Sequence, residues 1–316
     1  MKRRDFLTAS AVAGVAALCG TRPVVAQGLV AAGDGMPKLV PPQKPAELNL
    51  SLQWGAIPGA EIPQKLDFLE ANGFNAFEIP SGDWPIKNVE AMNKAMQGRK
   101  LFVATACGPS DFSYAEAEKR EAEVQKFLPI IEALGAMKSV GLILCPARGK
   151  VPLGFKELRE DFVNNTGKRL AEQAVKCGTS IVLEPLRRNE TPFMRQVADA
   201  ATIARDIGPG AKPMGDFWHM QLEETSFMGA FVSAGSQLAH VHIAGLKERI
   251  VPGCHPEDNY VDGFKGLKLI GYRGAVSFEG GWPKNPADPK KGLPQEEKLK
   301  LLLNMARLLR EQWAQA

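Results

Sequence analysis

Short apolar runs and segments of helical periodicity alternate along most of the chain. Eight runs of apolar and β-branched residues have the length and composition of buried strands. They cover residues 48–54, 75–80, 100–107, 139–146, 180–186, 211–217, 238–245 and 274–280. Amphipathic helical segments separate these runs, and a last one is predicted over residues 296–313. This alternation favours parallel strands that are joined by right-handed crossovers.

The number of strand–helix units distinguishes two α/β architectures. Eight units over about 270 residues match the usual size of a (β/α)8 barrel. A doubly wound open sheet is the alternative, but it normally has a glycine-rich turn after its first strand. The segment WGAIPGAE, which follows the first run here, lacks the GxGxxG spacing of that turn. We therefore predict a single-domain (β/α)8 TIM barrel over residues 48–316, after a Pro/Gly-rich linker over 27–47.

The first 26 residues have the composition of an export signal. MKRRDFLTAS contains the twin arginines Arg3 and Arg4, and a short apolar run and the small residues VVA follow. The apolar run is shorter than the roughly 20 residues that span a bilayer as a helix. We expect residues 1–26 to be a twin-arginine signal that engages the export machinery. The expected location is the periplasm or the medium, without a stable membrane anchor.

Charge and cysteine content exclude two classes of partner and site. The formal net charge is +4, and the first 26 residues carry +3 of it, which leaves +1 for the remainder. Nucleic-acid-binding domains are normally clearly basic, so no nucleic-acid partner is expected. The cysteines after the signal have no CxxC spacing and predict neither a zinc cluster nor a disulfide framework, although export permits one bridge. They are Cys107, Cys145, Cys177 and Cys254.

Four successive strand candidates each provide one potential metal ligand. Glu184 ends the fifth run, Asp216 the sixth and Glu279 the eighth, and His242 lies in the seventh. A single carboxylate after a strand is usually a helix cap or a surface group. Four ligand types at the carboxyl ends of barrel strands, however, would meet at the rim where barrel active sites lie. Their oxygen and imidazole donors favour one divalent ion, Mn²⁺, Mg²⁺, Co²⁺ or Zn²⁺, over a soft metal. Of these four ions we expect Mn²⁺.

The two histidines of the seventh run need separate assignments. His240 and His242 are two residues apart on one strand, so both side chains face the barrel interior. His242 is nearer the carboxyl end of the strand and is assigned to the metal. We expect His240 to be a hydrogen-bonded core residue or a second-shell group.

Four segments together resemble a known family. EPLRRNE, DFWHM, HVHIAG and SFEG resemble the metal-site signatures of the xylose-isomerase-like TIM barrels. Within that family they are most similar to the sugar phosphate isomerase/epimerase group, and especially to its ketose 3-epimerases. The resemblance implies that the four strand-end residues hold one divalent metal. It also implies that Glu184 and Glu279 move the proton during catalysis.

The same resemblance implies a set of substrate ligands. Glu190, His219 and Arg249 occupy positions that bind substrate oxygens in the family. The segment KERIVPG departs from the family pattern, because Glu248 stands where an asparagine is usual before the arginine. Substrate identity therefore stays open.

These residues are suited to proton transfer next to a carbonyl group. A metal ion stabilises the enediolate that forms when a C–H proton adjacent to C=O is removed. Glu184 and Glu279 can then act as base and acid. We predict a metal-dependent isomerase or epimerase, and the sequence leaves open which of the two reactions occurs. Since sugar phosphates are scarce outside the cytoplasm, the expected substrate is a non-phosphorylated sugar or keto-sugar.

Other functions are compatible with parts of this pattern. A keto-sugar or keto-inositol dehydratase or lyase would use the same base and metal and ranks second. A hydrolase resembling the apurinic-site endonucleases would need further histidines from early strands, and no histidine precedes His219. Asp258 could replace only one such ligand. A non-catalytic sugar-binding barrel would not need both glutamates. Homo-oligomerisation is left open.

Overall fold

The structure is a computed structural model that describes residues 44–108 and 110–316. The expected signal and all but the last four residues of the expected linker lie outside the described residues. Glu47, at the end of that linker, is already attached to the barrel. Its backbone N–H donates to the Tyr272 carbonyl at 2.9 Å, and its side chain pairs with Arg273 at 2.5 Å. Within the described part, no helix has the length and hydropathy of a membrane span.

Eight parallel strands close into a barrel in which each strand pairs with its neighbours in sequence order. The strands are β1 (Asn49–Gln53), β2 (Ala76–Ile79), β3 (Phe102–Gly108), β4 (Gly141–Leu144), β5 (Ile181–Leu183), β6 (Ala211–Asp216), β7 (His240–Ile243) and β8 (Ala275–Phe278). Each overlaps one of the eight predicted runs. The predicted (β/α)8 TIM barrel is confirmed.

At least one helix lies in each crossover between consecutive strands, and a long helix follows β8. The helices are α1 (Ile62–Ala71), α2 (Trp84–Met96), α3 (Ala117–Ala136), α4 (Phe155–Asp161), α5 (Gly167–Cys177), α6 (Val197–Ile207), α7 (Phe217–Glu223), α8 (Phe227–Ala234), α9 (Val261–Leu269) and α10 (Gln295–Gln315). A π-helical turn, Phe162–Thr166, connects α4 to α5, and short 3-10 turns lie at Trp54–Ala56 and Gly235–Gln237.

Local sequence signals explain where these helices begin and end. At the start of α1, the Glu61 and Gln64 side chains form a reciprocal capping box that satisfies two free backbone N–H groups. Leu66 and Leu69 of this helix are fully buried, so its apolar face packs against the barrel. Helix α5 ends at Gly178, whose φ of 72° is a left-handed conformation that glycine adopts without a steric penalty.

The strand register brings the four candidate ligands to one level of the barrel. Asp216 on β6 is paired directly with His242 on β7. Glu184 and Glu279 each follow immediately after a strand. Their backbone N–H groups donate to the carbonyls of Leu144 at 3.0 Å and Ile243 at 3.1 Å, respectively. The carboxyl ends of β5 to β8 therefore present these side chains at the same mouth of the barrel.

Candidate metal centre

The four predicted metal ligands form one compact cluster. One donor atom from each of Glu184, Asp216, His242 and Glu279 lies within 4.8 Å of the donor atoms of the other three. His242 Nδ1 is 2.9 Å from Glu279 Oε2 and 3.4 Å from Glu184 Oε1. The first three residues are buried, whereas the Glu279 side chain is 22% exposed. The structure thus brings the four predicted ligands together in space.

The chemistry of this cluster fits a divalent cation. Three carboxylates in one largely buried space repel one another unless positive charge lies between them. His242 Nδ1 is buried, faces two of these carboxylates and makes no well-aligned hydrogen bond with any described residue. Its other nitrogen, Nε2, is 2.9 Å from Glu78 Oε1. One imidazole nitrogen and three carboxylate oxygens are a donor set for Mn²⁺, Mg²⁺, Co²⁺ or Zn²⁺.

Arg249 reaches into the same cluster from the loop after β7. Its Nη2 group donates to Asp216 Oδ2 at 2.8 Å and to Glu279 Oε2 at 2.5 Å. The backbone places it there, because the Arg249 N–H donates to the Gly245 carbonyl and its carbonyl accepts from the Gly281 N–H. Arg249 itself has a φ of 46°, which is unusual for a residue with a side chain. The backbone conformation of this loop thus directs the Arg249 guanidinium toward the two carboxylates.

His219 and Glu190 lie beside the cluster, as the family resemblance implies. His219 on α7 is buried, and its Nε2 is 3.4 Å from Asp216 Oδ2. The Arg187 backbone N–H donates to His219 Nδ1 at 3.3 Å, and Glu190 Oε1 is 3.7 Å from the same nitrogen. The carboxylate of Glu190 also lies 3.5 Å from Arg148 and is partly exposed. These residues form one wall next to the candidate metal ligands.

The electrostatic surroundings keep both candidate proton-transfer groups ionised. Burial raises the pKa of Glu279, but the charge and close contact of His242 and the charge of Arg249 together lower that pKa to about 2. Burial likewise opposes ionisation of Glu184, and contacts with His242 outweigh it, so its pKa is also lowered. A deprotonated carboxylate is the form that accepts a proton.

The pKa values of Asp216 and His242 are raised instead. Burial raises the pKa of Asp216, and the nearby positive charge of Arg249 compensates only in part. The pKa of His242 is raised well above its usual value, because Glu78 and Glu279 outweigh the effect of burial. A divalent cation would replace the proton on His242 and balance the carboxylates around it.

Two cysteine thiols border the cluster, and sequence reasoning gave them no specific role there. Cys145, after β4, donates through Sγ to Glu184 Oε2 at 3.2 Å. Burial and the charge of Glu184 raise the pKa of Cys145 far above its usual range and that of Cys107 to about 12. Both thiols are therefore protonated, and Cys145 serves as a hydrogen-bond donor. All four cysteines of the described residues are free.

Other residues considered from the sequence have structural contacts. His240 is a buried, hydrogen-bonded core residue as expected, with Nε2 at 3.1 Å from Glu78 Oε1. Asp258 is not a ligand substitute, because its two carboxylate oxygens accept from the backbone N–H groups of Leu246 and Gly253. It thereby fixes the loop that contains Arg249. That role depends on loop conformation and has no signal in the sequence.

The two arginines after β5 differ in their contacts. Arg188 is held by Glu223, with Nε at 2.8 Å from Oε1, and also donates to the Leu222 carbonyl. The guanidinium of Arg187 instead lies over the ring of Trp218, 4.4 Å from its centroid. Arg188 is thus part of the fold of this loop, whereas Arg187 packs beside the His219 wall.

Comparison with known proteins places this chain in a family. The profile of the xylose isomerase-like TIM barrel family matches residues 66–305, about three quarters of the chain. The chain belongs to this family. One protein with a similar sequence is the 3-dehydro-D-guloside 4-epimerase of Escherichia coli K12, which is 29% identical over 230 residues. That alignment covers 69% of this chain and 87% of the relative.

Further xylose isomerase-like relatives point to the same enzyme class. The L-ribulose 3-epimerase of Methylomonas sp. is 32% identical over 193 residues, which are 60% of this chain and 65% of that protein. The apo crystal structure of the Escherichia coli 3-keto-D-glucoside 4-epimerase superposes with a TM-score of 0.71 at 26% identity. It covers 83% of this chain and all of that one. These relatives confirm the expected class, an isomerase or epimerase enzyme.

A second solved structure supports the fold alone. The D-psicose 3-epimerase of Clostridium cellulolyticum H10, solved with D-tagatose, superposes with a TM-score of 0.73 at 19% identity. The superposition covers 84% of this chain and 99% of that chain.

Proposed function

We propose that this protein is a divalent-metal-dependent epimerase that inverts a carbon next to the carbonyl of a non-phosphorylated keto-sugar. A keto-glycoside is the favoured substrate. The observation that carries the proposal is the pair Glu184 and Glu279, two carboxylates with lowered pKa in one cluster of potential metal ligands. The relative that acts on a 3-dehydro-guloside, and aligns over most of its length, supports this substrate class.

Four residues would hold the ion, namely Glu184, Asp216, His242 and Glu279. The chemistry that a divalent cation supplies at such a site is Lewis-acid polarisation of the sugar carbonyl and its neighbouring hydroxyl. We favour Mn²⁺, because three of the four donors are carboxylate oxygens and none is a thiolate.

The two glutamates divide the proton transfer between two faces of the sugar. They follow β5 and β8, with β6 and β7 between them, and so approach the cluster from different sides. One carboxylate accepts the proton from the carbon next to C=O, and the C–H electron pair moves into the enediolate. The other glutamate takes up a proton from solvent as negative charge develops on the neighbouring enediolate, and it delivers that proton to the opposite face of the same carbon. The configuration inverts, and solvent hydrogen enters the product.

The remaining residues of the site orient the substrate. Arg249, His219 and Glu190 lie next to the glutamates and present donors and an acceptor to sugar hydroxyl groups. Cys145 keeps one oxygen of Glu184 in place through its Sγ–H bond, which leaves the other oxygen directed at the cluster. Arg249 adds positive charge where negative charge develops in the enediolate.

We further propose that the protein acts outside the cytoplasm after twin-arginine export. The support is the sequence of residues 1–26, and this location agrees with a substrate that has no phosphate group. Export of a folded protein also permits the metal to be loaded in the cytoplasm.

Isotope exchange tests the proposed reaction. The Mn²⁺-loaded protein is incubated in D₂O with a panel of 3-keto-glycosides and free ketoses, and products are followed by NMR. We expect deuterium at a carbon next to the carbonyl together with formation of the epimer. Loss of water from the substrate would instead assign the protein to the lyases. If no member of the panel exchanges a proton, the proposal is wrong.

A further inference from the structure

Glu78 connects two strands that are not neighbours in the barrel. It lies on β2, whereas His240 and His242 lie on β7, and β8 and β1 separate these strands. A single oxygen, Glu78 Oε1, is 3.1 Å from His240 Nε2 and 2.9 Å from His242 Nε2. Glu78 is 2% exposed and both histidines are fully buried. The carboxylate therefore spans the barrel interior beneath the candidate metal centre.

A carboxylate at this place needs a reason beyond packing. The interior of such barrels is normally filled by branched apolar side chains. Removing a carboxylate from water costs several kcal/mol, and an apolar residue of similar volume would avoid that cost. Among the residues that the structure describes, only the two imidazole N–H groups compensate it, because Glu78 Oε2 has no hydrogen-bond partner there. The contact with the two histidines thus distinguishes Glu78 from an apolar core residue.

The contact determines how His242 faces the cluster. Glu78 Oε1 can only accept, so the His242 nitrogen beside it, Nε2, has to be the one that donates. Nδ1 is then free to present its lone pair, and it is directed toward Glu184 and Glu279. If the proton were on Nδ1 alone, the lone pair of Nε2 would face the Glu78 carboxylate and repel it. Nδ1 could then not bind a cation from the cluster side.

We propose that Glu78 is a positioning residue for the metal centre, which fixes the Nε2–H tautomer and the ring orientation of His242. His240 provides the second N–H that holds Glu78 in place. Outer partners of this kind typically change metal affinity by about 10- to 100-fold when they are removed. The inference rests on the proposed metal-dependent function, but it concerns a residue that does not touch substrate or metal.

The same three groups offer a competing arrangement. Glu78, His240 and His242 themselves meet the geometric requirement for holding an ion. If this group and the candidate metal centre both held an ion, His242 would have to bind one cation through each nitrogen and lose both ring protons. A single ion per chain agrees with the positioning role, and two ions per chain contradict it.

Metal titration of graded variants tests the proposal without any sugar. Chelator-treated full-length protein is titrated with Mn²⁺, with detection of free Mn²⁺ by electron paramagnetic resonance. We expect one site in the wild type, with Kd raised roughly 10-fold in Glu78→Gln, a weaker acceptor, and nearer 100-fold in Glu78→Leu, which cannot accept at all. Wild-type affinity in both variants would overturn the role, as would loss of one of two bound ions.

A matched control separates this effect from a general loss of buried polarity. Ser277 is paired with His242 in the strand register and is fully buried, and its hydroxyl has no hydrogen-bond partner in residues 44–108 and 110–316. Ser277→Ala should leave the Mn²⁺ affinity unchanged. Equal weakening in this variant would show that the effect is not specific to Glu78.

Nitrogen-15 NMR of the wild-type histidines keeps the proposal testable even where a Glu78 variant does not fold. With diamagnetic Mg²⁺ bound, the ring proton of His242 is expected on Nε2, in a strongly hydrogen-bonded environment. A proton on Nδ1 would refute the positioning role. Because neither measurement involves a substrate, a failure here leaves the proposed epimerisation standing. Absence of isotope exchange would not affect the Glu78 result.

Discussion

Arg249 donates to the same Glu279 oxygen, Oε2, that lies 2.9 Å from His242 Nδ1. The positively charged guanidinium of Arg249 therefore contacts one of the potential metal-donor atoms directly. This contact gives Arg249 two opposing effects. It can hold a substrate oxygen and stabilise the enediolate, but its charge also weakens the attraction of Glu279 and Asp216 for a metal ion.

Arg249→Met should consequently tighten Mn²⁺ binding while it slows turnover. Loss of a charge-assisted hydrogen bond is worth about 2 kcal/mol, which corresponds to roughly 30-fold in kcat/KM. Mn²⁺ titration and steady-state kinetics measure the two effects separately. Arg188→Met is the matched control, because that arginine is held by Glu223 at the same rim and neither quantity should change. Weaker Mn²⁺ binding in Arg249→Met would contradict this account.

Replacing one glutamate should separate proton exchange from epimerisation. In Glu279→Gln the remaining carboxylate, Glu184, can still remove a proton from one epimer but has no partner on the other face. Interconversion of the epimers should fall by about 10²- to 10⁴-fold, with a smaller loss of deuterium exchange from one of them. Exchange and epimerisation are both read by NMR in D₂O.

A surface variant controls for the change of charge in that experiment. Glu257→Gln alters an exposed glutamate in the loop after β7 and should behave as wild type. If Glu279→Gln retains full epimerase activity, Glu279 has no part in the reaction.

Removal of divalent metal should lower thermal stability, because the clustered carboxylates then lack a balancing charge. At a Mn²⁺ concentration about 100 times Kd, binding adds about 2.7 kcal/mol to the free energy of unfolding. Differential scanning calorimetry with chelator and with Mn²⁺ should show a higher Tm in Mn²⁺. Asp216→Asn should lose most of that difference. An identical Tm in both conditions would argue against a metal site.

Asp258→Ala should destabilise the loop after β7 and displace Arg249. The buried carboxylate of Asp258 accepts from two backbone N–H groups, of Leu246 and Gly253, and each would be left without a partner. Together the losses are expected to lower the free energy of unfolding by about 3 kcal/mol. Chemical denaturation measures this change. Glu257→Ala, at an exposed turn position next to Asp258, is the control and should have little effect.

The proposed export through the twin-arginine route should depend on Arg3 and Arg4. Replacing both with lysine should leave the folded protein in the cytoplasm, whereas Lys2→Ala should not prevent export. Fractionation of cells, with detection of the protein in each compartment, distinguishes the outcomes. Efficient export of the double lysine variant would exclude this route.

The barrel fold and the cluster of candidate metal ligands could be predicted from the sequence for different physical reasons. Buried parallel strands are continuous apolar runs, so all eight were found from hydrophobicity alone. The cluster followed from one rule, that side chains at the carboxyl ends of consecutive barrel strands meet at one rim. Glu184 and Glu279 needed no loop geometry for their prediction, because each directly follows a strand.

Contacts that cross the barrel or depend on loops could not be predicted in this way. Glu78 lies within the second predicted run, but its bond to His242 links two residues that are 164 positions apart in sequence. Similarly, the path of Arg249 depends on a left-handed backbone conformation and on Asp258. Neither feature has a local sequence pattern. The roles of the individual site residues stay predictions that the experiments above decide.

The distribution of ligands around the barrel has an evolutionary consequence. All four candidate metal donors come from the half formed by β5 to β8, while the crossovers after β1 to β4 contribute none of them. Apart from Cys145, which directly follows β4 and donates to Glu184, those early crossovers are therefore free to diverge in length and shape without displacing the candidate metal ligands. Grafting them from relatives with other sugar preferences offers a direct route to redesigned selectivity on an unchanged catalytic half.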